Sequence, residues 1–328
     1  MRLLIHSFCI SSFKGGEDLK KYFKFLISTI LVAFIVFEAV TLGLLTCPKG
    51  RFYQSYQSVI QDKYRILKET NDPKIIMVAG SSSAFGLNQA MLEEASGYKV
   101  ANLGLHAGFG HLFYSELAKA NINKGDIVLL GYEYGWQGGF DTLDQNLIMS
   151  GIDDDIEMYT RIPVKKWPQF IGYLFKFAET KQSYAGASGI YSREAFDSQT
   201  GQMTMQRDEV MQWNAETYGV VDITDTTISD NAIQYLKKYK KYVEDRGASI
   251  YFVAPPVIAD ALVGDVENLN RIKEQEEQEI GIPYISNPTD YVFPATLMSN
   301  ANFHCNSQGE ITRTQLLIED LKRAAVIK

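Results

Sequence analysis

A serine-rich turn that follows a short apolar run contains the residues best suited to nucleophilic chemistry. Residues 75–78 are apolar and largely β-branched, which is typical of a strand that is covered on both faces. Gly80 allows a sharp turn there, and Ser82 would lie where the turn enters the next helix. A hydroxyl presented at the carboxyl end of a buried strand predicts a serine nucleophile. The alternative is that these serines only cap the helix.

A histidine near the other end of the chain supplies a candidate base. His304 lies in a polar loop directly before residues 311–325, whose apolar spacing predicts the final helix. An imidazole has the intrinsic pKa to take the proton of a serine hydroxyl and return it, so Ser82 and His304 together predict acyl transfer through a serine ester. No second His or Cys lies at metal-ligand spacing from His304, and neither a metal nor another cofactor is expected.

The elements that must position these groups alternate between strand and helix. Strand candidates are residues 74–79, 99–103, 126–130, 249–253 and 283–286. This order predicts an α/β fold with three layers, a parallel five-stranded sheet between two layers of helices. In such sheets, sites form beyond the carboxyl ends of the strands. We therefore expect five loops to meet at one edge of the sheet, and each carries a residue of interest: Ser82, Ala107, Glu133, Pro255 and His304.

Two segments resemble the first two sequence blocks of the SGNH, or GDSL-like, hydrolase superfamily. The first block, Gly-Asp-Ser, is matched by Gly-Ser-Ser at residues 80–82. Residues 102–108 are similar to the second block, whose glycine N–H joins the oxyanion hole. The resemblance implies the flavodoxin-like fold of that superfamily, with Ser82 as the nucleophile. It also implies an oxyanion hole made by the N–H of Ser82 and that of Ala107 or Gly108.

The third and fifth blocks are matched with substitutions. Residues 126–134 resemble the strand that leads into the third block, Gly-x-Asn-Asp, with Glu133 where the asparagine is expected. His304 matches the histidine of the fifth block, Asp-x-x-His, and Ala301 stands in the acid's place. In many membrane-anchored members the acid lies four residues before the histidine, which implies that Asn300 takes that position. An amide can orient an imidazole but cannot stabilise the imidazolium. This leaves three outcomes: another acid helps, a slow dyad operates, or catalysis is lost.

Glu133 is the substitution with the largest chemical consequence. A carboxylate aimed into an oxyanion hole would repel the negative charge that develops there. The side chain must then be protonated, turned away, or used for another purpose such as binding a sugar hydroxyl. A solvated loop carboxylate is the remaining interpretation. Glu133, Tyr134 and Trp136 are the candidate substrate-binding residues.

An apolar stretch near the amino terminus, residues 25–46, is long enough to cross a bilayer and predicts a transmembrane helix. Four lysines lie in the preceding residues 14–24, whereas Lys49 and Arg51 follow. This bias predicts a cytoplasmic amino terminus, with the body of the protein outside a bacterial plasma membrane. A cleaved signal peptide, or a lipoprotein modified at Cys47, is the alternative.

Charge patterning bears on the partners. Glu38 lies inside the apolar stretch, where an ionised carboxylate is costly. It predicts contact with a polytopic partner in the membrane, unless it reaches headgroup water at the outer interface. The formal net charge of −7 argues against a nucleic acid as the main partner.

The sequence pattern divides the chain into several parts. These are a cytoplasmic segment (1–24), the transmembrane helix (25–46), a linker helix (47–72), a core in two pieces (73–136 and 229–328) and an insertion (137–228). The insertion lacks strand-helix alternation and is rich in aromatic residues. Aromatic surface at the edge of the sheet would suit a polysaccharide, whose sugar faces stack on rings. The same rings could instead form the insertion's own core.

As a whole, the chain resembles the membrane-anchored SGNH proteins that work with membrane-bound O-acyltransferases, such as the D-alanyl transfer and alginate O-acetylation proteins. The resemblance implies that a polytopic partner carries an acyl group across the membrane, that Ser82 accepts it, and that a polysaccharide hydroxyl receives it. Two alternatives remain: an extracytoplasmic carbohydrate esterase, and a non-catalytic scaffold or polymer-binding subunit.

Overall fold

A computed structural model describes residues 16–46, 50–153, 155–225 and 227–328, which form two compact units, Met1–Pro48 and Lys49–Lys328. The first unit contains helix α1 (Gly16–Thr46). Within it, the segment Leu19–Val40 has a mean hydropathy of 2.2, and its side chains, Glu38 among them, are exposed. This helix is long and apolar enough to serve as a membrane anchor or a signal sequence.

Some residues used in the sequence argument lie outside the described ranges. They are Lys14, Cys47 and Lys49, so the structure does not bear on the lipoprotein alternative.

The second unit is built on a parallel sheet. The strands described by the structure are β1 (Lys74–Ala79), β2 (Lys99–Asn102), β3 (Ile127–Gly131), β4 (Val221–Asp222), β5 (Ser249–Phe252), β6 (Val257–Ile258), β7 (Leu262–Val263) and β8 (Val292–Phe293). Four of them form the main sheet in the order β2-β1-β3-β5, and every neighbouring pair is parallel. β4 pairs with β7, and β6 with β8. The α/β prediction is therefore confirmed.

The helices of the second unit follow in chain order. They are α2 (Val59–Glu69), α3 (Ser81–Ala84), α4 (Gln89–Ser96), α5 (His111–Ala118), α6 (Trp136–Gly139), α7 (Gln145–Ile152), α8 (Ile156–Tyr159), α9 (Trp167–Ser183), α10 (Ala215–Tyr218), α11 (Asp230–Glu244), α12 (Asn268–Ile280) and α13 (Ser307–Arg323).

Helices cover both faces of the main sheet. On one face, Leu92 of α4 and Leu317 and Leu321 of α13 pack with Ile75 and Met77 of β1. The helices α2, α5 and α11 contact β2, β1 and β5 and contribute no residue to that cluster, so they lie on the other face. Burial of both faces explains why β1 and β3 are apolar throughout.

The prediction of a fifth strand in the main sheet is wrong. Residues 283–286 lie beside β5, where the N–H of Phe252 donates to the carbonyl of Pro283 at 2.8 Å, but they form only a single bridge between Phe252 and Tyr284. A proline has no N–H to donate to a ladder. The N–H of Tyr284 is taken by the Glu277 carboxylate at 2.6 Å. The N–H of Ile285 donates to the carbonyl of Phe252 at 3.0 Å and completes this one bridge, whereas the missing N–H of Pro283 prevents the pairing from extending towards the start of β5.

The predicted linker helix is shorter than expected and belongs to the compact unit. Residues 50–58 form turns, and α2 begins only at Val59. Two side chains tie α2 to the insertion, defined above as residues 137–228. Asp62 pairs with Arg193 at 2.6 Å, and the buried Lys63 Nζ donates to the carbonyl of Gly201 at 2.8 Å. The insertion is thus anchored on the helix that was predicted as the linker.

Candidate active site

Ser82 lies on the turn between β1 and α3, as its sequence context predicts. Gly80 begins this turn, and a Cβ at that position would lie 2.3 Å from Glu133 Oε2. A side chain at residue 80 would therefore displace the Glu133 carboxyl. Ser82 is fully buried, and its Oγ makes no hydrogen bond of normal geometry to any described residue, although it lies beside the Glu133 carboxyl.

The side chain of Glu133 points at the serine turn from the loop after β3. Its Oε1 accepts a hydrogen bond from the backbone N–H of Ser82 at 2.8 Å, while Oε2 is buried without a hydrogen-bond partner among the described residues. Burial raises the pKa of Glu133, and nearby N–H groups of Ser82, Glu133 and Gly80 oppose that rise. Glu133 is therefore neither a solvated loop carboxylate nor turned away from Ser82.

Asn102, at the end of β2, joins the serine turn to the loop of the second block. Its Oδ1 accepts hydrogen bonds from Ser83 Oγ and from the N–H of Gly104, both at 3.0 Å, and its Nδ2 donates to the carbonyl of Ser83 at 2.9 Å. A Cβ at Gly104 would lie 1.8 Å from Ser83 Oγ, so only glycine fits there. Sequence reasoning did not assign this positioning role, although Asn102 begins the segment that resembles the second block.

The N–H groups predicted to form the oxyanion hole differ in availability. That of Ser82 is engaged by Glu133, and that of Gly108 donates to His106 Nδ1 at 2.9 Å. The N–H of Ala107 has no partner in the part of the chain that the structure describes, and Ala107 is exposed. Of these three N–H groups, that of Ala107 is therefore free to meet an oxyanion.

Asn300, in the same loop, orients the His304 ring, and Tyr191 of the insertion holds Asn300. Its Nδ1 lies 2.8 Å from Asn300 Oδ1, and Asn300 Nδ2 donates to the hydroxyl of Tyr191 at 2.9 Å. With the amide oxygen of Asn300 facing it, Nδ1 carries the hydrogen of the neutral ring. This tautomer leaves Nε2 as an acceptor. Burial, with smaller contributions from His106 and Arg207, lowers the pKa of His304 to about 3, so the ring is neutral at physiological pH.

The serine turn and the histidine loop are neighbours in the fold. Phe85, which ends α3, stacks on the His304 ring with centroids 4.0 Å apart and planes 5° apart. A Cβ at Gly86 would lie 2.6 Å from the carbonyl oxygen of Ser82 and 3.2 Å from Cys305 Sγ. No hydrogen bond joins Ser82 Oγ to the His304 ring in this structure.

Arg207, a buried residue of the insertion, hydrogen-bonds to both the serine turn and the histidine loop. Its Nη2 donates to the carbonyl of Phe85 at 3.2 Å, and its Nε donates to the carbonyl of Cys305 at 3.3 Å. It also forms a buried ion pair with Glu310 of α13. Arg207 and Tyr191 were both missed from the sequence, because nothing local marks them and their partners are about a hundred residues away.

Cys305, next to His304, has a buried and free thiol. Burial raises the pKa of this thiol to about 12, so it stays protonated at neutral pH and is a poor nucleophile.

A cavity of about 930 Å³ lies against one side of this arrangement. The predicted substrate-binding residues Glu133, Tyr134 and Trp136 line it together with Ala107. Trp136 contributes little surface, because it is 5% exposed and its Nε1 donates to Glu276 at 2.9 Å. Residues 142–146 of the insertion complete the wall, so the insertion reaches the edge of the sheet.

Comparison with known proteins places few constraints on this chain. No family model and no curated protein matches its sequence. Among solved structures, it is similar to the Bacillus subtilis protein YxiM, with 12% sequence identity and a TM-score of 0.38. The match covers 78% of this chain, and the chain spans about 58% of the length of the other one. A similarity of this extent carries no argument about the site, so the functional case rests on the residues described above.

Proposed function

We propose that this protein is a membrane-anchored serine O-acyltransferase that acts outside a bacterial plasma membrane and transfers an acyl group, such as acetyl, to a polysaccharide hydroxyl. The observation that carries the proposal is the orientation of His304. Asn300, fixed by Tyr191, places the ring hydrogen on Nδ1 and leaves Nε2 as an acceptor, in a loop that packs on the serine turn through Phe85. This is the tautomer that a base for a serine hydroxyl requires.

The chemistry proceeds in two half-reactions. The proton of Ser82 Oγ moves to His304 Nε2 as Oγ forms a bond to the acyl carbon, and the proton then leaves on the departing group. In the second half, His304 accepts the proton of a polysaccharide hydroxyl as that oxygen attacks the ester, and returns it to Ser82. Ser82 Oγ makes no hydrogen bond of normal geometry to a described residue, and in the reaction it turns from the Glu133 carboxyl towards His304.

A carbohydrate acceptor is supported by the walls of the cavity. Asn146 Oδ1 is buried without a hydrogen-bond partner among the described residues, and Asn146 lines the cavity beside Gln145. The rings of Tyr173 and Phe303 also line it. Polar acceptors next to aromatic faces match the two surfaces of a sugar.

The acyl donor would come from a polytopic membrane partner that carries the group across the bilayer. Helix α1 would hold the protein in the same membrane, and Glu38 would contact the partner, because a carboxylate within an apolar span is stable only beside polar groups. We expect Glu38→Leu to reduce co-purification of such a partner from detergent-solubilised membranes. Equal recovery with both proteins would count against the contact.

The direct cellular test is Ser82→Ala. We expect this variant to abolish O-acylation of the surface polysaccharide, measured as acyl groups released by mild alkali, while the amount of protein in the membrane stays unchanged. Ser183→Ala makes the same change at an exposed residue of α9 and should leave acylation intact. Normal acylation with Ser82→Ala, at normal protein level, would contradict the proposal.

Two alternatives give different results. An esterase would hydrolyse p-nitrophenyl acetate with rapid turnover in the absence of any acceptor, whereas a transferase with a neutral Asn300 should release little product beyond the first acylation. A non-catalytic scaffold would tolerate both Ser82→Ala and His304→Ala in cells, although deletion of the whole chain would still stop acylation.

A further inference from the structure

The carboxyl group of Glu133 occupies the space between the serine turn and the cavity. On one side, its Oε1 accepts the N–H of Ser82 at 2.8 Å. On the other side, Glu133 lines the cavity, as do Ser81 and Ala107. The absence of a side chain at Gly80 allows this approach. The group is thus placed where it would touch an acyl oxygen bound next to Ser82.

The two carboxyl oxygens of Glu133 differ in their hydrogen bonds. Oε1 has a donor, but Oε2 is buried and has no partner among the residues that the structure describes. An ionised carboxyl would leave negative charge on Oε2 without a hydrogen bond of normal geometry from any described residue, which is costly in a buried site. In the acid form, Oε1 is the carbonyl oxygen that accepts from Ser82, and Oε2 carries a hydrogen that lacks only an acceptor.

A second unused donor faces the same cavity. The N–H of Ala107 makes no hydrogen bond within the described ranges, and Ala107 is exposed there. Glu133 and Ala107 both line the cavity, so an Oε2–H turned towards it and this N–H would be two donors for one carbonyl oxygen. In an oxyanion hole, donors of this kind stabilise the charge that develops on that oxygen.

The charges near Glu133 are few. Tyr56 from the turns before α2 and Tyr114 from α5 face it, and burial raises the pKa of both phenols, so they stay neutral. Arg313 of α13 is the cation that interacts with Glu133, and it is itself fully buried and close to Glu310. Burial raises the pKa of Glu133 in spite of its N–H neighbours, which is consistent with an acid form that persists above the usual range.

We propose that Glu133 acts as a neutral carboxylic acid whose Oε2–H, together with the N–H of Ala107, binds the carbonyl oxygen of the acyl group. This inference rests on the proposed function. As Ser82 Oγ attacks the carbonyl carbon, the π electrons move onto the carbonyl oxygen, and the two donors stabilise it. The proton stays on Glu133 throughout. When the intermediate collapses, the C=O bond reforms and the leaving group departs with the proton from His304.

The kinetic test compares Glu133→Gln with Glu133→Leu in the full-length protein in detergent. The probe is p-nitrophenyl acetate, and the quantity measured is the rate of the first burst of p-nitrophenolate. Glutamine keeps an acceptor for the Ser82 N–H and a neutral donor, so we expect a rate within about tenfold of wild type, whereas leucine should cost roughly 10²- to 10³-fold. The wild-type rate should fall at alkaline pH as Glu133 ionises, and the glutamine variant should lack that fall.

Three results would overturn the inference. They are a leucine variant as fast as wild type, a glutamine variant as slow as the leucine variant, and an alkaline fall shared by wild type and Glu133→Gln. Ser82→Ala separates this inference from the proposed function. If Ser82→Ala removes the burst and Glu133→Leu does not, only the role of Glu133 fails. If Ser82→Ala keeps the burst, the proposed function fails first.

A spectroscopic test needs no turnover. The infrared difference spectrum between wild type and Glu133→Gln at neutral pH should contain the C=O band of a protonated carboxylic acid. A carboxylate band in its place would overturn the inference. Equal thermal unfolding midpoints for the two proteins would show that the comparison is made on the same fold.

Discussion

At the scale of single residues, the site combines an oriented base with an unusual partner for it. Asn300 supplies the hydrogen bond that an acid supplies in serine hydrolases of the usual type, and it does so without charge. In the proposed reaction, the imidazolium that forms during acylation would therefore be stabilised less, and the low pKa of His304 follows from its burial. This arrangement suits slow transfer to a bound acceptor better than rapid hydrolysis.

Restoring the acid tests this reading of Asn300. In Asn300→Asp, a carboxylate would stabilise the imidazolium, and the Tyr191 hydroxyl could donate to it. We expect the burst with p-nitrophenyl acetate to accelerate at neutral pH by more than about tenfold, with a ceiling of roughly 10⁴-fold set by the reverse change in serine proteases. The pKa of His304 should rise from about 3, so the loss of rate in acid should begin at a higher pH.

The matched variant is Asn300→Leu, which removes the orienting hydrogen bond and should be slower than wild type. If Asn300→Asp changed neither the rate nor the position of the acid limb, His304 would not be the base.

At the scale of elements, the four strands of the main sheet were predictable, whereas the short strands outside it and the connections were not. β1 and β3 could be located because both faces are buried and the whole run is apolar. The turns before α2 were mistaken for helix because their aromatic residues recur at helical spacing. Tyr56 in fact packs on Phe85 and Phe196 from distant parts of the chain. Local spacing cannot distinguish such long-range packing from an amphipathic helix.

The contacts within the site also differ in how far the sequence predicted them. The contact between Asn300 and His304 was implied by the resemblance to membrane-anchored SGNH proteins, whose acid lies four residues before the histidine. The contact of Glu133 with Ser82 joins the ends of two adjacent strands, so convergence was expected, but the direction of the carboxyl was not. Arg207 and Tyr191 come from the insertion, which has no strand-helix pattern to fix its path.

Lys63 provides a test of how α2 holds the insertion. Its Nζ donates to the carbonyls of Asn102 and Gly201, and burial lowers the pKa of Lys63 to about 7. Because the unfolded chain then binds the proton more tightly than the native state, the contribution to stability is present at high pH and is lost as the pH falls towards 7.

The corresponding measurement is the free energy of unfolding by urea at pH 7 to 10. We expect wild type to lose stability relative to Lys63→Met as the pH falls through this range, by up to about 1.4 kcal/mol per pH unit. Lys237→Met, at an exposed residue of α11, should show no such trend. A constant difference between wild type and Lys63→Met across the range would mean that Lys63 is protonated throughout.

At the scale of the whole molecule, the two units have separate tasks in the proposed function. Helix α1 would keep the protein at the membrane where the acyl donor is delivered, and the α/β unit would carry out the transfer. The insertion would serve both recognition and assembly, because it lines the cavity and also supplies Tyr191 and Arg207 to the catalytic loops. Loss of the insertion should therefore affect catalysis as well as binding.

The central claim is that Ser82 carries the acyl group. The most direct measurement is mass spectrometry of the peptide that contains Ser82, from protein purified from cells that cannot make the acceptor polysaccharide, so that the ester accumulates. We predict a peptide heavier by one acyl group at Ser82, sensitive to hydroxylamine and absent in His304→Ala. An unmodified Ser82 under these conditions, or an acyl group on another residue, would contradict the account.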